Sequence, residues 1–204
     1  MEGLILEART LLSRPTRQFL AIAGSPGAGK STTVENLLAH LQKTHPGQIA
    51  ILPMDGFHFD DTILVQQGRR PWKGAPDTFD VGGLASALER LARQDEVVAV
   101  PVFDRTLEIS RGSARLIDPD VRLILCEGNY LLLDQDPWRN LAPRFDLTVM
   151  IDVSEDVLIE RLRARWQGLN LNDEQIREKL EHNDLPNGRT VRSNSRPADL
   201  TLVQ

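Results

Sequence analysis

Apolar positions along the chain alternate between two rhythms. Short, largely apolar runs at 19–23, 49–54, 97–103, 121–126 and 147–153 read as strands buried on both faces. Between them the spacing changes to three and four. Leu4, Ile5, Ala8, Leu11 and Leu12 mark a helix over 2–13 that Pro15 ends, and Val34, Leu37, Leu38 and Leu41 mark one over 30–43 that His45-Pro46-Gly47 breaks. Leu84, Ala87, Leu88 and Leu91 mark a third over 81–93, and 155–165 and 172–183 read as two more. The run 198–203 adds a candidate last strand. Strands alternating with helices predict an α/β fold of three layers, a central, mostly parallel five-stranded sheet with helices on both faces. Two stretches depart from the alternation. Residues 56–80 are polar and rich in Gly and Pro, with Arg69, Arg70 and Lys73 clustered, and Asp60-Asp61-Thr62 inside them reads as a helix N-terminus. Residues 106–109 and 114–117, on either side of Ser110-Arg111-Gly112-Ser113, read as a small hairpin.

The chain of 204 residues fits one domain over 1–204, with excursions at about 56–80 and 103–117. Its single cysteine, Cys126, leaves no internal disulfide and suits a reducing, cytoplasmic setting. No segment has the apolar length of a signal peptide core or a membrane span, so no membrane insertion is expected. A net charge of −5 argues against nucleic acid as a partner. A small-molecule acceptor and a monomer or homodimer remain as the expected partners.

The most informative stretch is Gly24-Ser25-Pro26-Gly27-Ala28-Gly29-Lys30-Ser31, followed by Thr32. It meets the pattern G-x-x-x-x-G-K-[ST], with an apolar strand entering and an amphipathic helix leaving, as a phosphate-binding loop requires. Backbone N–H groups at a helix start can wrap a triphosphate. Lys30 would reach its outer phosphates, and the Ser31 hydroxyl would reach Mg²⁺. The pattern predicts the P-loop NTPase fold with ATP and Mg²⁺ as cofactors.

With Met54-Asp55-Gly56-Phe57-His58 added, the chain resembles the P-loop kinases of the uridine kinase, phosphoribulokinase and pantothenate kinase family. It is most similar to small bacterial members labelled fructose-transport-system or nucleoside kinases. The resemblance runs through Pro76-Asp77-Thr78-Phe79-Asp80, Pro101-Val102-Phe103-Asp104-Arg105, Cys126-Glu127-Gly128-Asn129-Tyr130 and the arginine-rich helix after Val153. It implies Asp55 as the base for an acceptor hydroxyl and a lid over about 161–172 that carries Arg161 and Arg165. It also places the 184–189 segment, with Asn187 and Arg189, near the nucleotide base. The residues agree in part. A carboxylate at the end of a strand in an open parallel sheet faces the ligand crevice. Glu127 ends the strand 121–126, where such proteins carry an acidic metal-shell residue. Arg161 and Arg165 share a helix face that Arg163 does not. Asn187-Gly188 also reads simply as a tight turn.

Acceptor contacts are expected among His58, Arg70, Asp77, Arg105, Arg111 and Tyr130. Uridine kinases carry a ribose-binding aspartate where Gly74 stands, which argues against uridine or cytidine. The expected activity is transfer of the ATP γ-phosphate to a hydroxyl of a sugar, nucleoside or vitamin precursor. A nucleoside monophosphate or dephospho-cofactor kinase, and a regulatory NTPase associated with transport, are the competing readings.

Overall fold

A computed structural model describes residues 1–204. Helix α1 (Glu2–Leu12) precedes strand β1 (Gln18–Gly24), and the phosphate-loop segment leads from β1 into α2 (Lys30–Leu41). Strand β2 (Ile49–Pro53), the short helix α3 (Asp61–Gln66) and α4 (Val81–Arg93) follow. Next come β3 (Val98–Asp104), β4 (Ile109–Ile117), β5 (Leu123–Gly128) and β6 (Leu147–Asp152). The chain closes with α5 (Glu155–Gly168), α6 (Asp173–Lys179), α7 (Leu185–Asn194) and β7 (Leu200–Val203).

Five strands form one parallel sheet in the order β2-β5-β1-β6-β7. The central strand β1 is buried at every position, because its two faces feed separate cores. Phe19, Ala21 and Ala23 pack with α4, β3 and the Trp138 segment, while Leu20 and Ile22 pack with α1, α2, α5 and α6. This sandwich is the expected α/β architecture. No helix is long and apolar enough to cross a membrane.

The register positions the site. Ile22 and Pro53 both pair with Glu127, so β5 lies between the phosphate-loop strand and the strand that delivers Asp55. The carboxyl ends of three adjacent strands therefore present the loop, Glu127 and Asp55 side by side. Two strand spacings, about 10 Å, separate the outer two. Arg17, buried just before β1, fastens this frame. Its guanidinium donates to the carbonyls of Leu91 at 2.6 Å, Val121 at 2.7 Å, Asp118 at 2.7 Å and Pro119 at 3.0 Å, joining the end of α4 to the start of β5.

Three local expectations are corrected. The apolar run 97–103 does not enter the parallel sheet; as β3 it pairs antiparallel with β4, and β7 takes the fifth place. The hairpin turn lies at 105–108 rather than 110–113, because Asp104 Oδ1 accepts the N–H groups of Thr106 and Leu107. Ser110 to Ser113 lie inside β4, where an irregular register opposite Val100 and Val102 absorbs the extra residues. Finally, 184–189 is not a turn. Residues 180–184 form a π-helical segment that runs into α7, with Pro186 in the first turn where its missing N–H costs nothing.

Candidate active site

The phosphate loop is shaped by close packing as well as by glycine freedom. Gly27 and Gly29 have φ of 78° and 91°, which side chains rarely adopt. A Cβ on Gly27 would also meet Leu162 at 2.9 Å, and one on Gly24 would meet the Ile151 carbonyl at 2.9 Å. Ser25 Oγ donates to the Gly188 carbonyl at 3.2 Å, so α7 supports the loop from outside. The buried Lys30 ammonium bends back to the Ser25 carbonyl at 3.0 Å. Burial pushes it down to about 8, against the pull of the Glu127 and Asp55 carboxylates. Ser31 Oγ donates to Glu127 Oε2 at 3.3 Å. Glu127 is itself buried, and burial together with the nearby Asp55 raises its pKa.

Arg161 donates to the Ala28 carbonyl at 3.3 Å and, with Arg165, lines the space over the loop; Arg163 does not. That cavity, about 310 Å³, has no hydrophobic lining. Pro26, Gly27, Gly29, Lys30, Ser31 and Thr32 form its floor, and Asp55, Arg105, Glu127 and Asn129 form its far wall. An anionic ligand fits such a lining, which gathers Lys30, Arg105, Arg161 and Arg165. For a divalent cation the protein offers Ser31 Oγ and the Glu127 carboxylate, whose one hydrogen bond is the long one from Ser31. No group of three or more His, Cys, Asp or Glu residues gathers as a metal cage. This donor set fits Mg²⁺, which binds through one or two protein oxygens plus phosphates and water.

Asp55 sits in a 3₁₀ turn, Met54–Phe57, that lies flat against neighbouring backbone. A Cβ on Gly56 would collide with the Pro101 carbonyl, and one on Gly128 with Met54. Only glycine at both places lets β3 and β5 approach so closely, a reason for Asp-Gly-Phe and Glu-Gly that sequence alone does not reveal. Asp55 Oδ2 accepts from Arg105 Nη2 at 2.8 Å. His58 Nδ1 lies 2.7 Å from the Asp55 carbonyl, which can only accept, so Nδ1 carries the proton. The imidazole is packed between Phe79 and Phe103, with ring centres 4.0 and 4.7 Å away. Burial lowers its pKa, so it is held neutral with Nε2 left as an acceptor.

A second cavity of about 110 Å³ opens on the other side of Asp55. His58, Arg70, Lys73, Arg105, Arg165 and Asn187 are among its lining residues. Asp55, Arg105, Asn129 and Arg165, with Pro26, line both cavities and form the wall between them.

Four candidates are not brought to this cleft. Tyr130 is fully buried, packs beside Phe79 and Trp138, and donates to the Gly74 carbonyl at 2.7 Å, so it props the excursion from beneath. Asp77 is exposed and held by Arg69 at 2.6 Å. Arg111 is exposed on β4, 3.5 Å from Asp104. Arg189 is exposed and paired with Glu155 at 2.6 Å, away from the cavities described. Asn187 does line the cleft, but beside Asp55 in the second cavity rather than at a base site, with Nδ2 donating to Asn183 Oδ1 at 2.8 Å. Lys179, Asn183 and Asp184 line the same cavity and were not anticipated. Their four- and five-residue spacing in a polar segment is the only sequence signal for them.

No family model matches the chain. Comparison with known proteins does find relatives over nearly its whole length. The uncharacterized protein YggC of Escherichia coli K12 is 34% identical over 200 residues, 97% of this chain and 82% of that protein. A proposed uridine kinase of Schizosaccharomyces pombe, C227.14, is 31% identical over 203 residues, 95% of this chain and 86% of that protein. Among solved structures, a proposed fructose transport system kinase from Silicibacter sp. TM1040 superposes with a TM-score of 0.91 at 37% identity, covering 98% of this chain and 97% of that one.

Proposed function

Because the chain belongs to the P-loop kinase family that includes uridine kinase, pantothenate kinase and phosphoribulokinase, we propose how its cleft divides the work of phosphoryl transfer. The protein is an ATP-dependent small-molecule kinase whose acceptor is a hydroxyl group. The triphosphate lies over residues 24–32, and the acceptor enters the second cavity. Asp55 takes the proton of the acceptor hydroxyl as that oxygen attacks the γ-phosphorus. The bond to the bridging oxygen breaks and ADP leaves. Lys30, Arg161 and Arg165 bear the charge that accumulates on the transferring group. Ser31 and Glu127 are the groups that would hold Mg²⁺, which supplies further positive charge to the phosphates when bound.

The observation carrying this reading is the shared wall. Asp55 and Arg165 face the phosphate-loop cavity and the second cavity at once, which is where a group passing between two ligands must be held. Arg105, which also lines both cavities, holds one Asp55 oxygen at 2.8 Å. Acceptor-stimulated ADP release across a panel of sugars, sugar acids, nucleosides and vitamin precursors tests it, with product mass as the second readout. The expected result is one acceptor class gaining the mass of a single phosphoryl group. ATP hydrolysis that no metabolite accelerates, without a phosphorylated product, would favour a regulatory NTPase instead.

A further inference from the structure

The second cavity contains more cations than its own carboxylates can satisfy. Arg70 and Lys73 share Asp61, each at 2.6 Å, and Lys73 also donates to the Glu108 carbonyl at 2.6 Å. Arg105 is paired with Asp55. Arg165 and Lys179 remain, and neither enters an ion pair. Their charged groups lie 5.0 and 5.2 Å from the centre of the same Trp166 ring. Asp184 attracts both from a distance, but one of its oxygens is committed to Trp166 Nε1–H at 2.7 Å. Arg165 also faces the phosphate loop, so its charge is accounted for by the phosphoryl group. Lys179 does not line the loop cavity, and nothing on the donor side accounts for it.

The segment that carries it is anchored to the cavity. Lys179, Asn183 and Asn187 recur every four residues through the π-helical segment and line one side of the cavity. Asn187 holds Asn183, which in turn donates to the Lys73 carbonyl at 2.9 Å, tying this face to the 56–80 excursion. Asn183 is thereby occupied at both ends of its amide, whereas the half-buried Lys179 ammonium enters no ion pair. In the same cavity, neutral His58 offers Nε2 as an acceptor for a hydroxyl.

Resting on the kinase reading above, we infer that the acceptor is a compact hydroxylated anion whose carboxylate or phosphate is received by Lys179. One hydroxyl lies at Asp55 and another donates to His58 Nε2. Lys179 is thus a specificity residue, and neutral sugars and nucleosides lack the group it reads.

The test uses matched pairs: glycerate with glycerol, gluconate with glucose and ribose 5-phosphate with ribose, with uridine as a neutral nucleoside. Each is assayed for phosphorylation and, by calorimetry, for binding in the presence of a non-hydrolysable ATP analogue. The anionic member of at least one pair should exceed its neutral partner by about a hundredfold in kcat/KM, and the pair that does so separates carboxylate from phosphate. Lys179→Gln should raise KM for that anion about tenfold while moving KM for ATP far less, and Lys179→Arg should restore part of the loss. Neutral members accepted as well as anionic ones, or a Lys179→Gln effect equal for both, would overturn the inference. If no compound is phosphorylated, the broader acceptor panel above decides the kinase reading, and binding decides the inference separately. Anions binding the wild-type protein more tightly than Lys179→Gln would uphold it, and equal binding would overturn it.

Discussion

The phosphate-loop side of the cleft is held by main chain, whereas the acceptor side is held by side chains reaching in from distant segments. Residues 24–31 follow directly from one buried strand into one helix, and their shape depends on Gly27, Gly29 and contacts with Leu162 and Ile151. The acceptor side joins the 3₁₀ turn at Asp55, the Arg70/Lys73/Asp61 cluster, Arg105 on a hairpin turn, and Lys179, Asn183 and Asn187 from near the other end of the chain. A backbone cradle suits a ligand part that every such enzyme shares. A side-chain lattice can be re-specified by single substitutions, which suits the part that differs.

That contrast is sharpest at Lys30. Lys30→Met removes the donor side's buried cation and should lower kcat by about 10²–10³ with little change in Tm, since burial opposes the charged form. A near-normal kcat would place the phosphates elsewhere.

Arg17 tests whether the donor frame is structural in the sense argued. Arg17→Ala removes a buried cation and its four charge-assisted hydrogen bonds to backbone carbonyls, and should cost about 3 kcal/mol. That corresponds to a fall in Tm of ~6–12 °C, with ATP affinity measured well below Tm almost unchanged. A loss of affinity without loss of Tm would contradict that division.

On the acceptor side, His58 gives a pH signature. Burial holds its folded pKa below the ordinary value of 6.5, so between the two values the unfolded chain binds the proton and the folded chain does not. The contribution to stability is full above 6.5 and is lost as pH falls from 6.5 through the folded pKa. Tm should therefore decline on going from pH 7 to 5, and His58→Phe should make that decline shallower. An unchanged slope would mean that His58 is not held neutral. The smallest effects are expected at Arg111 and Arg189. Alanine at either should move KM for ATP and acceptor by less than about twofold, because both are exposed and turned away from the cleft.

The same contrast explains what was legible in the sequence. Strand β1, the loop and helix α2 are contiguous, so local pattern and glycine spacing suffice. Asp55 and Glu127 were legible because both end apolar strands, where a parallel sheet opens its crevice. Arg161 and Arg165 were implied by the family resemblance, and helical spacing set them apart from Arg163. The third strand misled because an apolar run states burial and not pairing partner; β3 is buried against α4 outside the parallel sheet. Tyr130 misled because proximity to Glu127 in sequence does not say which way a residue after a strand turns. Lys179 and Asn183 were hard to read because only the fold brings them to the cavity, as with Asn183 and the Lys73 carbonyl more than a hundred residues away. Asn187-Gly188 read as a turn, yet both residues lie in helix α7, whose Gly188 carbonyl accepts from Ser25 Oγ.

The central claim is that Asp55 joins the two halves by taking the acceptor's proton, and Asp55→Asn addresses it directly. The substitution keeps the size of the side chain and a partner for Arg105. Titration with an ATP analogue, alongside single-turnover phosphorylation of the acceptor, should show nucleotide affinity nearly intact and the transfer rate lowered by about 10²–10⁴. A transfer rate that survives the substitution would contradict the account and assign Asp55 a structural role.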